Sequence, residues 1–366
     1  MSEPSVIDWM ALSFVPGLGS KGIMQLVARF GTPHEVFLAS KQDLAVSEIR
    51  KNVLNGLAAS APFYKKAELL LKRLQSGGAA AICFDDPEYP QPLTEIADPP
   101  PVLYVQGRIE LLNSLCVAMV GSRAATAYGK RSSFALAQAL ASSAVTVVSG
   151  LAAGIDSEAH RGALSVQGAT IGVLGCGLDI VYPKQNRALY DQIRKEGLLV
   201  CEYPLGTRPD GFRFPARNRI IAGLSKGVVV VEAARKSGSL ITAEMALDEG
   251  REVFAVPGQI DSFKSSGTHW LLQQGAKLVQ SSDDILVEIG CDCGETVVGQ
   301  KSQRMDCTID PEAGELLKHI DVYPGSRNEL ITKSGLGPGK VTELLLLLEL
   351  EGLVEMLPGD EIRRVV

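Results

Sequence analysis

The sequence predicts an α/β protein whose central parallel sheet is covered by helices on both faces, and three observations carry that prediction. Short runs that are apolar at nearly every position recur at Cys116 to Val120, Val145 to Val148, Thr170 to Leu174, Gly227 to Val231 and Val253 to Val256. Such runs belong to strands buried on both faces rather than on one. They alternate with helical patterns near Tyr128 to Ser142, Ser157 to Val166, Asn186 to Lys195 and Leu240 to Glu249, the order of a doubly wound fold. Finally, 46% hydrophobic and 21% charged residues supply enough apolar material for cores without metals or disulfides.

A chain of 366 residues exceeds one ordinary core, so several domains are expected. Residues 1–77 read as a small all-helical domain. Its Val15-Pro16-Gly17-Leu18-Gly19 turn, followed by an amphipathic run from Lys21 to Phe30, resembles a helix-hairpin-helix, whose backbone N–H groups can hold a phosphate. A plain helix–helix connection fits the same residues. Residues 78–290, entered through Asp98-Pro99-Pro100-Pro101, read as one extended Rossmann-like domain. Residues 291–310 turn polar and read as a linker. Residues 311–366 carry helical stretches at Pro311 to Ile320, Arg327 to Ser334 and Lys340 to Glu351, then a hairpin about Pro358-Gly359-Asp360, a winged-helix pattern. Its recognition helix holds Lys340 among leucines and glutamates, which suits poorly the phosphate contacts of a major-groove reader and favours a protein-contact or regulatory module.

A net charge of −6 argues against a surface wrapped globally in nucleic acid, so any such site is local. Seven cysteines, an odd number without regular spacing, and no signal-like start point to a reduced cytoplasmic setting. The longest apolar runs, such as Leu344 to Leu348, are far shorter than a bilayer helix requires. No metal site is expected, since Cys291, Cys293 and Cys307 lack paired spacing.

Chemistry concentrates at the turns that follow the strands. Gly121-Ser122-Arg123 places small residues and a guanidinium before a helix start, an expected anion site. Ser149-Gly150 opens the next crossover, where Asp156 is expected to cap the helix and His160 to lie one turn down it. Phe212-Arg213-Phe214-Pro215-Ala216-Arg217-Asn218-Arg219, flanked by Arg208 and Lys226, interleaves aromatic faces for bases with guanidinium groups for phosphates. Ser237-Gly238-Ser239 before a helix makes a phosphate-sized nest. Turns at the carboxyl ends of one sheet share an edge, so one groove is expected. A nicotinamide reading fails: no run of three spaced glycines enters the first helix, and Gly175-Cys176-Gly177 leads into Leu178-Asp179 rather than a helix. No nucleophile–base constellation emerges from the four histidines and Cys176.

These motifs in this order resemble the DprA (Smf) family. The resemblance rests on Gly121-Ser122-Arg123, Ser149 to Asp156 with His160-Arg161-Gly162-Ala163, and Gly175-x-Gly177-Leu178-Asp179 with Tyr182-Pro183 and Asn186. It continues through Phe214-Pro215-x-Arg217-Asn218-Arg219-Ile220-Ile221-Ala222-Gly223-Leu224 and Ser237-Gly238-Ser239-Leu240-Ile241-Thr242. It implies a sterile-alpha-motif-like N-terminal unit, a C-terminal winged helix and a homodimer. It further implies a protein that binds and protects incoming single-stranded DNA in natural transformation and homologous recombination. Loading of the recombinase RecA and contact with single-strand-binding protein follow from the same resemblance. The DNA-binding residues expected from motif and resemblance together are Gly121, Ser122, Arg123, Ser149, Gly150, Phe214, Arg217, Asn218, Arg219, Lys226, Ser237, Gly238 and Ser239. Some members place lysines where this chain has Ala153 and Gly211, which shifts its positive lining onto the arginines and Lys226.

No enzyme activity and no cofactor are expected. Two other readings stay open. A phosphoribohydrolase-like nucleotide-processing enzyme would use Thr242 and Glu244, although Ser237-Gly238-Ser239 replaces that family's consecutive glycines and Glu244 follows Thr242 by two residues, not three. An adaptor would act through the end domains alone. His269-Trp270-Leu271-Leu272 fits either a dimer surface or ordinary core.

Overall fold

The structure is a computed structural model that describes residues 3–45, 50–291, 310–321, 325–351, 353–357 and 359–364. It divides into two compact units, Met1–Cys293 and Gly294–Val366. The expected linker lies almost wholly outside the described residues. Among the described residues no helix is long and apolar enough to cross a membrane.

The first unit is built on a nine-stranded sheet. Its strands are β1 (Ala80–Cys83), β2 (Val102–Gly107), β3 (Cys116–Val120), β4 (Thr146–Ser149), β5 (Thr170–Leu174), β6 (Leu198–Cys201), β7 (Gly227–Val230), β8 (Glu252–Ala255) and β9 (Lys277–Leu278). They lie in the order β1-β2-β6-β5-β4-β3-β7-β8-β9. Strands β6 through β9 run parallel in that order, while β2 pairs antiparallel with both β6 and β1. The strand order reverses between β3 and β7. The sheet is larger than the five apolar runs foretell. Leu198–Cys201 contributes a strand too short and too close to the preceding helix to stand out.

Why those runs are apolar throughout is clear from their packing. Cys116, Ala118 and Val120 of β3 belong to one hydrophobic cluster, and Val117 and Met119 to another on the opposite face. Strands β7 and β8 divide the same way, Val228 and Val230 from Val229, and Val253 and Ala255 from Phe254. With successive side chains on opposite faces, a strand covered on both sides has no position for a polar residue that lacks an internal partner.

Among the described residues, six helices precede the sheet, α1 (Glu3–Ser13), α2 (Ser20–Phe30), α3 (Pro33–Leu38), α4 (Lys41–Ala45), α5 (Lys51–Ala58) and α6 (Ala61–Ser76). Their buried Trp9, Met10, Leu12 and Leu74 share a cluster with Cys83, Val102, Tyr104 and Cys201 of the sheet. The short α7 (Gln91–Thr94) leads to the proline-rich entry of β2. Around the sheet lie α8 (Ala127–Ser142), α9 (Ile155–Ser165), α10 (Arg187–Glu196), α11 (Arg213–Leu224), α12 (Gly238–Asp248), α13 (Ser266–Gln273) and α14 (Ser282–Glu288).

The second unit has helices α15 (Pro311–Leu317), α16 (Arg327–Ser334) and α17 (Pro338–Leu350) with a small sheet of β10 (Gly325–Ser326), β11 (Val354–Leu357) and β12 (Glu361–Arg364). Leu316, Leu330, Val341, Leu344, Leu348 and Ile362 form its core. Helix, helix, recognition helix and hairpin follow in winged-helix order.

Candidate functional site

A cleft of about 510 Å³ opens where the strand order reverses, at the carboxyl ends of the strands, the place where open α/β sheets bind ligands. Gly121 and Arg123 reach it from the turn after β3, and Ala152 and Asp156 from the turn after β4. Helix α11 contributes Phe214, Arg217 and Asn218, and the start of α12 contributes Ser237, Gly238, Ser239 and Thr242. A smaller recess shares Arg123, Tyr182, Phe214 and Arg217 with the cleft and adds Gly150 and Gly175.

The helix ends around the cleft differ in what they leave open. The start of α8, expected to hold an outside anion, is already occupied: Glu232 Oε2 accepts from Thr126 N at 3.1 Å and from Thr126 Oγ1 at 2.5 Å. Glu232 is buried, and a Cβ at Gly129 would stand 2.5 Å from its carboxylate oxygen. An internal carboxylate on the positive end of a helix satisfies it without a ligand. At α9 the N-cap is Gly154, not Asp156 as expected. Asp156 lies inside the first turn and folds the loop back, accepting from Gly150 N at 3.1 Å and Ala152 N at 3.4 Å. Between those two amides Leu151 takes φ +54°, a left-handed conformation costly for a branched residue. Asn186 Nδ2 holds its carbonyl at 2.9 Å. The start of α12 is different: Ser237 caps it, no acidic residue lies in its first turn, and open space surrounds Gly238. That N-terminus is the one of the three left for an outside anion.

Beside it stands an aromatic column. Phe214 stacks on Tyr182 with ring centroids 5.3 Å apart, and the exposed Arg123 guanidinium lies 5.5 Å from the Phe214 ring. Phe214 fits there because position 175 is glycine; a Cβ would come within 2.8 Å of its ring. Arg217 is only 5% exposed. Its Nη1 donates to Gly150 O at 2.8 Å and to Val173 O, and a Cβ at Gly150 would stand 2.5 Å from the guanidinium. Burial pulls the Arg217 guanidinium down to about 10, opposed by the Asp156 carboxyl, so it stays charged at neutral pH. Burial in turn pushes the Asp156 carboxyl up, while Arg217 and the two loop amides hold it down.

Of the thirteen residues expected at a DNA site, Gly121, Arg123, Phe214, Arg217, Asn218, Ser237, Gly238 and Ser239 line the cleft, and Gly150 lines the recess. The other four are not brought there. Ser149 is fully buried, its hydroxyl donating to Met119 O at 2.6 Å. Ser122 acts through its backbone, its N–H donating to Glu232 O and its carbonyl accepting from Ile155 N. Arg219 pairs with Asp98 and Glu202. Lys226 precedes β7 and donates its N–H to Cys116 O, at the opposite edge of the sheet. The helix-hairpin-helix turn also faces an internal acid, since Ser20 Oγ at the start of α2 donates to Glu202 at 3.3 Å. Tyr182, Thr242 and Glu232 were not among the expected site residues. An aromatic residue in the loop just beyond a parallel strand was the available signal for Tyr182. Leu271 is core, and Trp270 is half-buried with Arg235 5.3 Å from its ring.

The family model for DNA recombination-mediator protein A matches residues 80–290, and that for the DprA winged helix domain matches residues 300–360. The chain belongs to the DprA family. Among curated members, Protein Smf of Synechocystis sp. is 35% identical over the full length of both chains. Protein Smf of Escherichia coli is 40% identical over 82% of this chain and 81% of its own. DNA processing protein DprA of Streptococcus pneumoniae is 52% identical over 55% of this chain and 71% of its own. The crystal structure of the S. pneumoniae DprA superposes with a TM-score of 0.68 at 38% identity, covering 77% of this chain and 97% of that one. DNA processing protein A of Helicobacter pylori, solved to explain its single-stranded-DNA binding mode, superposes with a TM-score of 0.53 at 32% identity. That match covers 58% of this chain and 95% of that one. The α/β core and the winged helix are thus those of the family.

Proposed function

We propose that the cleft binds single-stranded DNA, and that the protein is a binding protein rather than an enzyme, protecting incoming strands and loading the recombinase RecA in natural transformation. The observation that carries the reading is the Arg123–Phe214–Tyr182 column beside the start of α12, where no acidic side chain occupies the first turn. It sets a π-face for a base next to a guanidinium and the positive end of a helix for phosphates, the pairing that a sequence-tolerant single-strand site uses. The binding mode studied in the H. pylori relative supports it. The site residues are then Gly121, Arg123, Phe214, Asn218 and Ser237 to Ser239 as contacts, with Arg217 holding the loops. Homodimerisation and contact with single-strand-binding protein in the cytoplasm belong to the same reading. The nucleotide-enzyme reading loses ground because Thr242 faces the cleft whereas Glu244 lies with Arg235, Lys236 and Trp270 on another surface.

The test is fluorescence anisotropy of a labelled oligonucleotide, single-stranded against duplex, across a salt series. Arg123→Ala is expected to bind more weakly with a log–log salt slope shallower by about 0.7, one phosphate contact on a single strand. Phe214→Ala is expected to lose about tenfold or more with the slope unchanged, as for a stacked base. A wild type indifferent to single strands, or both folded variants binding as wild type does, overturns the reading.

A further inference from the structure

Helix α11 carries arginines at positions 217 and 219, and the second one turns away from the cleft. Arg219 Nε donates to Asp98 Oδ2 at 3.2 Å, and Nη2 donates to Glu202 Oε1 at 2.5 Å and to Ser20 Oγ at 3.3 Å. Besides Ala216 O on its own helix, these three partners come from three separate parts of the chain. Asp98 begins the proline-rich entry to β2, Glu202 follows β6, and Ser20 is the first residue of α2 in the N-terminal helices. The side chain is 12% exposed. An ion pair so shielded is costly to break, because the partner left behind is a charge without water or counterion. The same 12-residue helix presents Phe214, Arg217 and Asn218 to the cleft. Whatever fixes one side of α11 fixes the other.

We propose that Arg219 is a positioning residue of the DNA cleft: its fork on Glu202 and Asp98, joined by Ser20, ties α11 to the entry of β2, the exit of β6 and the start of α2 and so sets where Phe214 and Asn218 stand. The N-terminal helices thereby take part in strand binding without touching the strand. The inference rests on the single-strand reading of the cleft.

It is tested by a substitution whose two readings have opposite signs. If Arg219 contacted phosphate, Glu202 would compete with DNA for it, and Glu202→Gln would tighten binding and steepen the salt dependence. As a positioning residue it predicts the reverse: Glu202→Gln in the full-length chain weakens single-strand binding by about three- to tenfold with the salt slope unchanged. Arg219→Lys keeps the charge but cannot form the fork, and is expected to weaken binding likewise. Each variant is measured well below its own Tm. Tighter binding by Glu202→Gln, or a lowered Tm with wild-type affinity in both variants, overturns the positioning role while Arg123→Ala still reports on the cleft itself. A wild type with no preference for single strands removes the cleft reading and this inference with it.

Discussion

Three arginines that read alike in the sequence have three fates, decided by burial. Arg123 is exposed beside an aromatic ring, Arg217 is clamped by two backbone carbonyls, and Arg219 sits among acidic partners. His160 shows the same control by environment. It is fully buried, with Nδ1 2.7 Å from Thr170 Oγ1. Thr170 gives its own proton to Val147 O, so Nδ1 is the donor and Nε2, buried without a partner, carries no proton. Burial, and then the nearby Arg217 charge, push the imidazole down to about 3. A histidine neutral in the fold but titrating near 6.5 when unfolded contributes stability that is complete above about pH 6.5 and is lost as pH falls toward 3. The loss approaches about 1.4 kcal/mol per pH unit within that window. Asp156, raised by burial, acts with the opposite sign, costing stability as pH rises through its own window. Urea unfolding at stepped pH is therefore expected to show His160→Gln losing less stability between pH 7 and pH 4 than wild type does. Equal slopes would mean that His160 is not held neutral.

At the scale of elements, the helix starts explain which turns stay open and which are closed by an internal acid. Glu232 seals α8, and its carboxylate fills the space that a side chain at Gly129 would need. Gly129→Ala in the wild type is expected to destabilise by about 1–3 kcal/mol, since the pinned carboxylate has to give way. Glu232→Ala is expected to cost a similar amount by leaving Thr126 N without its acceptor. Combined, the two are expected to cost less than their sum, because the alanine methyl then enters vacated space. Denaturant midpoints of the four proteins check this, and strict additivity would sink it. Sequence reading found most of these elements within a few residues, because apolar runs and helical periodicity are local signals. It did not separate the residues of the Phe212 to Arg219 stretch. Once that stretch is helical, positions 217 and 219 lie about 200° apart around the axis, so a run that reads as one basic face splits between a cleft and an ion-pair hub.

For the whole molecule, charge is unevenly placed. Residues 310–364 hold eleven acidic against six basic side chains, most of the chain's net −6. Within the winged helix Lys340 is paired with Glu312 at 3.0 Å and with Glu343 at 3.6 Å, Lys318 with Glu315 and Arg363 with Glu355. The outward face of α17 presents Leu346 and Leu347 rather than free cations. Such a surface gives duplex phosphates little to gain. A chain ending at residue 293, the limit of the first compact unit, is expected to keep single-strand affinity within about threefold and to lose no duplex affinity. Anisotropy with both oligonucleotides measures this; a tenfold loss for either would return DNA binding to the winged helix.

What the sequence determined alone is the order of its elements and the residues gathered at the strand ends. Strands buried on both faces have to be apolar at nearly every position, and turns that pass close to other backbone have to be built of small residues; both requirements are written along the chain. What only the tertiary structure decided is the use of each charged group. Whether a guanidinium meets solvent, a carbonyl or a carboxylate depends on segments that are distant in sequence: Arg217 on Gly150 and Val173, Arg219 on Ser20, Asp98 and Glu202, and Thr126 on Glu232. Electrostatic partnership and desolvation are properties of three-dimensional neighbours, and no local pattern of residues encodes them.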